Sequence, residues 1–427
     1  MKILIKGGRV VDPANNLDKV CDVLIENGKI SKVALNIKTD AKEIIDASSK
    51  IVVPGLVDMH VHLREPGRED KETVKSGTLA ALAGGVTSLL AMPNTQPPID
   101  SKEHLDVLGD IINKTARANV FIAASITKGR LGEELVDIAS LKKQGIVAIT
   151  DDGDSVDSDI LMSSAFSKAG ESNVLVICHC EDKLLSMNGA VNLGFTSTRM
   201  GLRGISKESE YKRIERDITL AKDAGACLHI AHVSCKESIE LIADAKKKGI
   251  AITAETAPHY FALDEAAVID YDTNMKMNPP LRTTQDRESI KQALKDGIID
   301  VIASDHAPHT ENEKDIEFER AEFGVTGLET ELSASITELV NTNLLNWPEL
   351  VKKMSFNPAQ ILGIDKGTLT PGRAADIIVV SGDRERIVKK EEFVSKSKNS
   401  PFLNRKLKGV VEYTICGGKI AYKYKKE

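Results

Sequence analysis

Most of the 9 histidines in this chain of 427 residues stand at the ends of apolar runs. His60 and His62 close the run "GLVDMHVH". On a strand, residues i and i+2 leave by the same face, so both imidazoles would converge on one point. Two neutral ring nitrogens around one point suit a divalent cation such as zinc. An H-x-H pair alone is weak, because hydrogen-bonded structural histidines are common. Repetition strengthens it: His179, His232 and His259 follow later runs, and His306 and His309 follow the last. Asp305 ends "DVIASD". A carboxylate beside a metal-activated water can act as general base and then acid, as amide hydrolysis requires. Capping of the next helix or pairing with Arg282 are its plainer roles. Asp151 and Asp152 end another run. Burying both without a cation is costly, although exposure of one would also relieve their repulsion. Cys178 and Cys180 flank His179, but alternation points them away from it, so packing explains them better than ligation.

The elements that must carry these residues are eight apolar runs at 55–62, 86–92, 120–125, 145–150, 174–179, 227–233, 250–256 and 300–305. Amphipathic stretches such as "TVKSGTLAALAGG" and "SIELIADAKKKGI" separate them, and "GLETELSASITELVN" would close the eighth unit. Near-continuous apolar strands are covered on both faces, hence parallel β-structure with helices outside. Eight strand–helix units in series favour a closed (β/α)8 barrel, whose active sites lie at the C-terminal ends of the strands. The chain has no Gly-rich phosphate turn of the kind an open dinucleotide-binding sheet would carry.

The two ends of the chain read differently. "KILIKGG", "RVVD" and "CDVLIENGKISKVAL" with its Asn27-Gly28 turn are hairpin-like, and so is "GVVEYTICGGKIAYK" around Gly417-Gly418. The expected architecture is α/β, a TIM-type barrel over 54–365, with a small β-sandwich formed jointly by 1–53 and 366–427. Hydrophobic residues at 41% and charged residues at 28% argue against a disordered chain. The basic clusters Lys246-Lys247-Lys248 and Lys423-Tyr424-Lys425-Lys426 are too short for a nucleic-acid surface. No stretch reaches the ~20 apolar residues of a membrane span. The N-terminus turns polar too early for a secretory signal. The 6 cysteines form no CxxC pair. A cytoplasmic location is expected.

Together "GLVDMHVHLREPG", "AMPNT", "HCED", "AHVS", "ETAPHY", "MNPPLR", "SDHAPH" and "FGVTGLET" resemble bacterial class I dihydroorotases of the amidohydrolase superfamily, over essentially the whole chain. The resemblance implies one or two zinc ions, two being favoured. His60, His62 and Asp305 would hold one, His179 and His232 the other, with Asp152 as the bridge. It assigns the substrate's carboxylate to Arg64, Asn94 and His309. Ring contacts fall to Asn278 and the backbone near Phe323 and Gly324, with His62 adjoining the substrate. Two positions depart from the pattern. Many superfamily members bridge through a carboxylated lysine, whereas "GIVAITDDG" offers only aspartate, and Lys142 and Lys143 lie a helix turn earlier. Glu322 stands where proline is common, so a less rigid lid is expected.

The reaction implied is the reversible closure of N-carbamoyl-L-aspartate to L-dihydroorotate in de novo pyrimidine synthesis. A metal-bound hydroxide would act as nucleophile, with Asp305 as general acid and base. The implied partners are the small-molecule substrate, a second copy of the chain in a homo-oligomer, and aspartate transcarbamoylase. Two other readings compete. Allantoinase and dihydropyrimidinase share the H-x-H and the final aspartate, but usually carry the bridging lysine. A non-catalytic scaffold for aspartate transcarbamoylase would have replaced His60, His62 or His179, and all three are present.

Overall fold

The computed structural model describes residues 2–425; Met1, Lys426 and Glu427, which belong to the expected end segments and basic tail, lie outside them. Eight strands follow each other around a barrel: Leu56–Val61, Val86–Ala91, Asn119–Ala124, Ala148–Ile149, Leu175–Cys178, Leu228–Ile230, Ile252–Thr256 and Val301–Ile302. Their order in the sheet is their order in the chain, and neighbouring strands are parallel. The ring closes where Val61 bridges His306 and the His62 N–H donates to the His306 carbonyl at 2.9 Å. All eight expected runs are therefore barrel strands.

Helices cover the strands as their patterns require. Val74–Gly84 starts at Thr73, whose hydroxyl accepts from the Ser76 N–H, and stops at Gly85 in the left-handed region. Lys236–Lys247 follows the sixth strand and packs Ile239, Ile242 and Ala245 inward. The run expected to close the eighth unit is helical from Glu331 and relaxes into a wider turn over Ile336–Val340.

The chain ends meet in one eight-stranded sheet. Lys2–Asp12, Leu17–Glu26, Lys29–Ala34, Glu43–Asp46 and Ile51–Pro54 join Ile377–Ile387, Lys406–Cys416 and Lys419–Lys423. Ile51–Pro54 pairs antiparallel with Ile377–Ile387, which joins the two halves, and Lys29 bridges Ala374, so the sheet folds onto itself. Ile3, Ile5, Val10, Ile25, Ile377 and Ile415 fill the space between. Asn27 and Gly28, at φ 51° and 80°, make the primed turn that the sequence suggests.

Two connections between the units bear on the barrel mouth. Pro54 ends the terminal sheet and Leu56 begins the first barrel strand. A Cβ on Gly55 between them would fall 2.1–2.8 Å from Thr87 side-chain atoms, so only glycine lets the strand enter here. Further on, residues 388–405 return over the barrel as a strap: Ser397 Oγ donates to the Lys71 carbonyl at 2.7 Å, and Asn399 Oδ1 accepts from the His309 N–H at 3.2 Å. Among the described residues, no helix is long and apolar enough to cross a membrane.

Candidate active site

Strand ends one, four, five, six and eight deliver His60, His62, Asp152, His179, His232 and Asp305 to the barrel mouth, all buried. His60 Nε2 lies 3.3 Å from Asp152 Oδ1 and 3.6 Å from Asp305 Oδ1. His62 Nε2 lies 3.4 Å from Asp152 Oδ2 and 3.4 Å from Asp305 Oδ1. His179 Nδ1 and His232 Nε2 stand 3.6 Å and 3.4 Å from Asp152 Oδ1. Asp152 thus turns one oxygen to His60, His179 and His232 and the other to His62. His232 and Asp305 have left-handed backbones, at φ 34° and 47°. Non-glycine residues hold that conformation at a cost, and such strain concentrates at functional sites.

These residues fit a cation. His60 Nε2 and Asp152 Oδ1 are buried without a hydrogen-bond partner, which is expensive unless something charged meets them. Spacings of 3.3–3.6 Å are close to the roughly 3.4 Å between tetrahedral ligands at Zn–N/O distances of ~2.1 Å. Two groups can each enclose an ion: His60, His62 and Asp305, and His60, Asp152 and His232. The first is the expected trio. In the second His60 stands where His179 was expected; His179 reaches the group by its 2.8 Å contact with His232 Nε2. Burial alone would depress His60, yet Asp152, Glu255 and Asp305 hold its proton well above the usual histidine range. Burial likewise opposes ionisation of Asp305, but His60, His62 and His232 hold it well below the usual carboxylate range. The cluster attracts positive charge to its centre.

The choice between the adjacent aspartates is made by hydrogen bonding. Asp151 Oδ1 accepts from the Ile126 and Thr127 N–H groups at 2.8 and 3.2 Å, and its Oδ2 accepts from the Thr127 hydroxyl at 2.5 Å. Asp151 faces the neighbouring loop and Asp152 the histidines. Cys180 Sγ contacts Asp217 at 3.5 Å, on the side away from the cluster, as alternation suggested. Arg282 is engaged by Asn192 and Ser234 and makes no pair with Asp305. His306 is also turned away, its Nδ1 accepting from the Gly327 N–H at 3.2 Å.

A second, basic group adjoins the first. Asn94 Oδ1 accepts from His62 Nδ1 at 2.7 Å and orients that ring. Arg64, also left-handed at φ 63°, donates from Nε to the Pro308 carbonyl at 3.2 Å and brings Nη2 to 3.3 Å from His309 Nε2. His309 Nε2 donates to the Phe323 carbonyl at 2.8 Å. The Gly324 N–H donates to Lys276 at 3.0 Å, and Asn278 Nδ2 donates to Glu181 at 3.1 Å. Arg64, His309 and Phe323 are therefore brought together and Asn94 stands against His62, while the backbone N–H of Gly324 and the amide of Asn278 already have protein partners. The loop carrying Glu322 is pinned by two buried lysines. Lys276 Nζ donates to the carbonyls of Phe318, Glu319 and Ala321, and Lys314 Nζ to those of Glu322 and Gly324.

Sequence reasoning passed over several neighbours. Glu255 Oε1 accepts from His60 Nδ1 at 2.6 Å and its Oε2 faces His229 Nε2 at 3.2 Å, so it fixes which His60 nitrogen points to the cluster. Its only sequence signal is its place at the end of the seventh run. Lys71 and Asn399 carry no local signal at all.

A (β/α)8 barrel with clustered histidines and carboxylates at its C-terminal mouth defines the metal-dependent amidohydrolase class of enzymes. The "Dihydro-orotase-like" family model matches residues 49–238 and the "Amidohydrolase family" model residues 229–422. The chain is 51% identical over 420 residues to the dihydroorotase of Elusimicrobium minutum, covering 98% of this chain and 97% of the relative. It is 49% identical over 424 residues to that of Geobacter metallireducens, covering 99% and 100%. Among solved structures, the L-hydantoinase (dihydropyrimidinase) of Arthrobacter aurescens superposes with a TM-score of 0.90 at 25% identity, covering 99% of this chain and 96% of that one. The dihydropyrimidinase of Brevibacillus agri superposes at 0.85 and 24% identity, covering 98% and 95%, which shows the shared fold. The chain belongs to the dihydroorotase family.

Proposed function

We propose that this chain is a cytoplasmic dihydroorotase, interconverting N-carbamoyl-L-aspartate and L-dihydroorotate in pyrimidine biosynthesis. The observation that carries the reading is the adjacency of two groups. Buried metal-ligand atoms without partners lie beside Arg64, whose charge is felt at His62, Asp152 and Asp305 and which in turn meets His309. Such a basic pair suits a ring that bears a carboxylate and has no use for the uncharged rings of hydantoinase-type substrates.

His60, His62 and Asp305 would hold one zinc ion and His179 and His232 a second, with Asp152 shared between them. When bound, the ions lower the pKa of water from 15.7 to roughly 7 and polarise the amide carbonyl. Asp305 takes the proton of the attacking water and returns it to the ring nitrogen as the amide C–N bond breaks; in the synthetic direction it runs in reverse. Arg64 offers two parallel donors to the substrate's carboxylate. Asn94 keeps its Nδ2 for the same group, because its oxygen is committed to His62. The carbonyl oxygen of Asn278 and the backbone at Phe323–Gly324 face the ring in this assignment. The reading extends to assembly as a homo-oligomer associated with aspartate transcarbamoylase.

A substrate panel tests it. The metal-replete enzyme should turn over dihydroorotate and carbamoyl-aspartate and leave dihydrouracil, hydantoin and allantoin almost untouched. Preference for an uncharged ring would overturn the assignment.

A further inference from the structure

The His309 ring has a partner on each nitrogen, and together they leave one arrangement of its proton. Lys71 Nζ lies 3.0 Å from Nδ1. Burial lowers Lys71 from the ordinary lysine range, and its 3.0 Å ion pair with Glu313 opposes that; as an ammonium it donates only. Nδ1 must therefore accept. On the other side the Phe323 carbonyl, an acceptor, lies 2.8 Å from Nε2, so Nε2 must carry the hydrogen. Arg64 Nη2, 3.3 Å from Nε2, is itself a donor and adds charge rather than a competing hydrogen bond. The lysine is held in turn by the strap, where Ser397 Oγ donates to its carbonyl at 2.7 Å.

We propose that Lys71 is a positioning residue that fixes His309 in its Nε2–H tautomer, so that the neutral ring presents a hydrogen, held by the Phe323 carbonyl, that the substrate's carboxylate can share. The inference rests on the reading of His309 as an anchor for that carboxylate. The charged groups around the ring agree with it. Burial, then Arg64, Lys71 and Lys314, push His309 down to about 2 against the opposing Glu313, so the ring stays neutral at working pH. Without Lys71 nothing would oblige Nδ1 to accept, and a second acceptor would compete with the Phe323 carbonyl for the ring's hydrogen. Glu313 Oε2 lies 3.6 Å from Nδ1 and is the acceptor that remains there. An Nδ1–H directed at Glu313 would leave a lone pair on Nε2, facing an anionic substrate.

The test uses full-length protein labelled with 15N-histidine, wild type, Lys71→Met and Lys71→Arg, with the His309 signals identified by their loss in His309→Gln. Long-range 1H–15N spectra should show Nε2–H in the wild type and in Lys71→Arg, and a clear Nδ1–H population in Lys71→Met. In the metal-loaded enzymes Lys71→Met should raise KM for dihydroorotate about tenfold with kcat changed less than threefold, the size of one charge-assisted hydrogen bond. Lys71→Arg should recover most of the loss. An unchanged Nε2–H tautomer in Lys71→Met would overturn the proposal, as would a fall in kcat at constant KM. If the wild type fails to turn over dihydroorotate, the proposed function falls, while the spectra, which need neither substrate nor metal, still decide the role of Lys71.

Discussion

The two halves of the barrel mouth are built on opposite principles. In the histidine–carboxylate half, His60 Nε2 and Asp152 Oδ1 are buried with no hydrogen-bond partner, although each side chain is aimed by a strand end. In the basic half, Arg64, Lys71 and His309 are satisfied by carbonyls, Glu313 and one another. The first half is incomplete as protein and calls for cations. The second is held in place by protein contacts and keeps the terminal N–H groups of Arg64 for an anion. Under the proposed function the difference divides the labour: chemistry would fall to the half with open valences, and selection of substrate to the half that is already organised.

The comparison breaks most sharply at Asp305. Asp305→Asn should lower kcat about a thousandfold, within the usual range for loss of a general acid–base group. Unchanged turnover would remove the proton transfer from this half. The adjacent aspartates give the next contrast. Asp152→Ala should lower the metal content of the purified protein by at least one equivalent, measured by elemental analysis. Asp151→Ala should keep its metal but lose about 2 kcal/mol of stability, because three buried donors lose their acceptor. The reverse pattern would place the shared carboxylate at 151.

In the basic half, Arg64→Lys should raise KM for dihydroorotate roughly tenfold with little change in kcat, since lysine has no paired donors. An unaltered KM would detach Arg64 from the substrate's carboxylate. The smallest effect concerns the pinned loop. Burial lowers Lys314 to about 7, from the ordinary 10.5. Between those pH values the unfolded chain binds a proton that the folded chain has released, so folding stability should rise with pH across that window. Lys314→Met should flatten the rise in melting temperature, and an equally steep rise would show that Lys314 is not its source.

Much of this is legible in the sequence. The barrel could be read from eight apolar runs because parallel strands are covered on both faces and so leave continuous patterns. Asn27-Gly28 and Gly417-Gly418 marked the hairpins of the terminal sheet because primed turns demand positive φ. His60, His62, His179, His232 and Asp305 were visible as strand-end residues. What stayed hidden depends on distant partners. What separates Asp151 from Asp152 is the loop of Ile126 and Thr127, which takes up the Asp151 carboxylate. Glu255 meets His60 across 195 positions, and Lys71 meets His309 across 238. No local period carries such information. The strap that delivers Ser397 and Asn399 comes from a sheet whose own pattern says nothing about the barrel mouth.

The most direct test of the central claim is a metal titration of the stripped enzyme. Chelation should abolish carbamoyl-aspartate cyclisation, and stepwise return of Zn2+ should restore it in proportion to occupancy, up to two ions per chain. Cyclisation that persists in protein shown by elemental analysis to be free of metal would contradict the account, as would a fully loaded enzyme that does not cyclise.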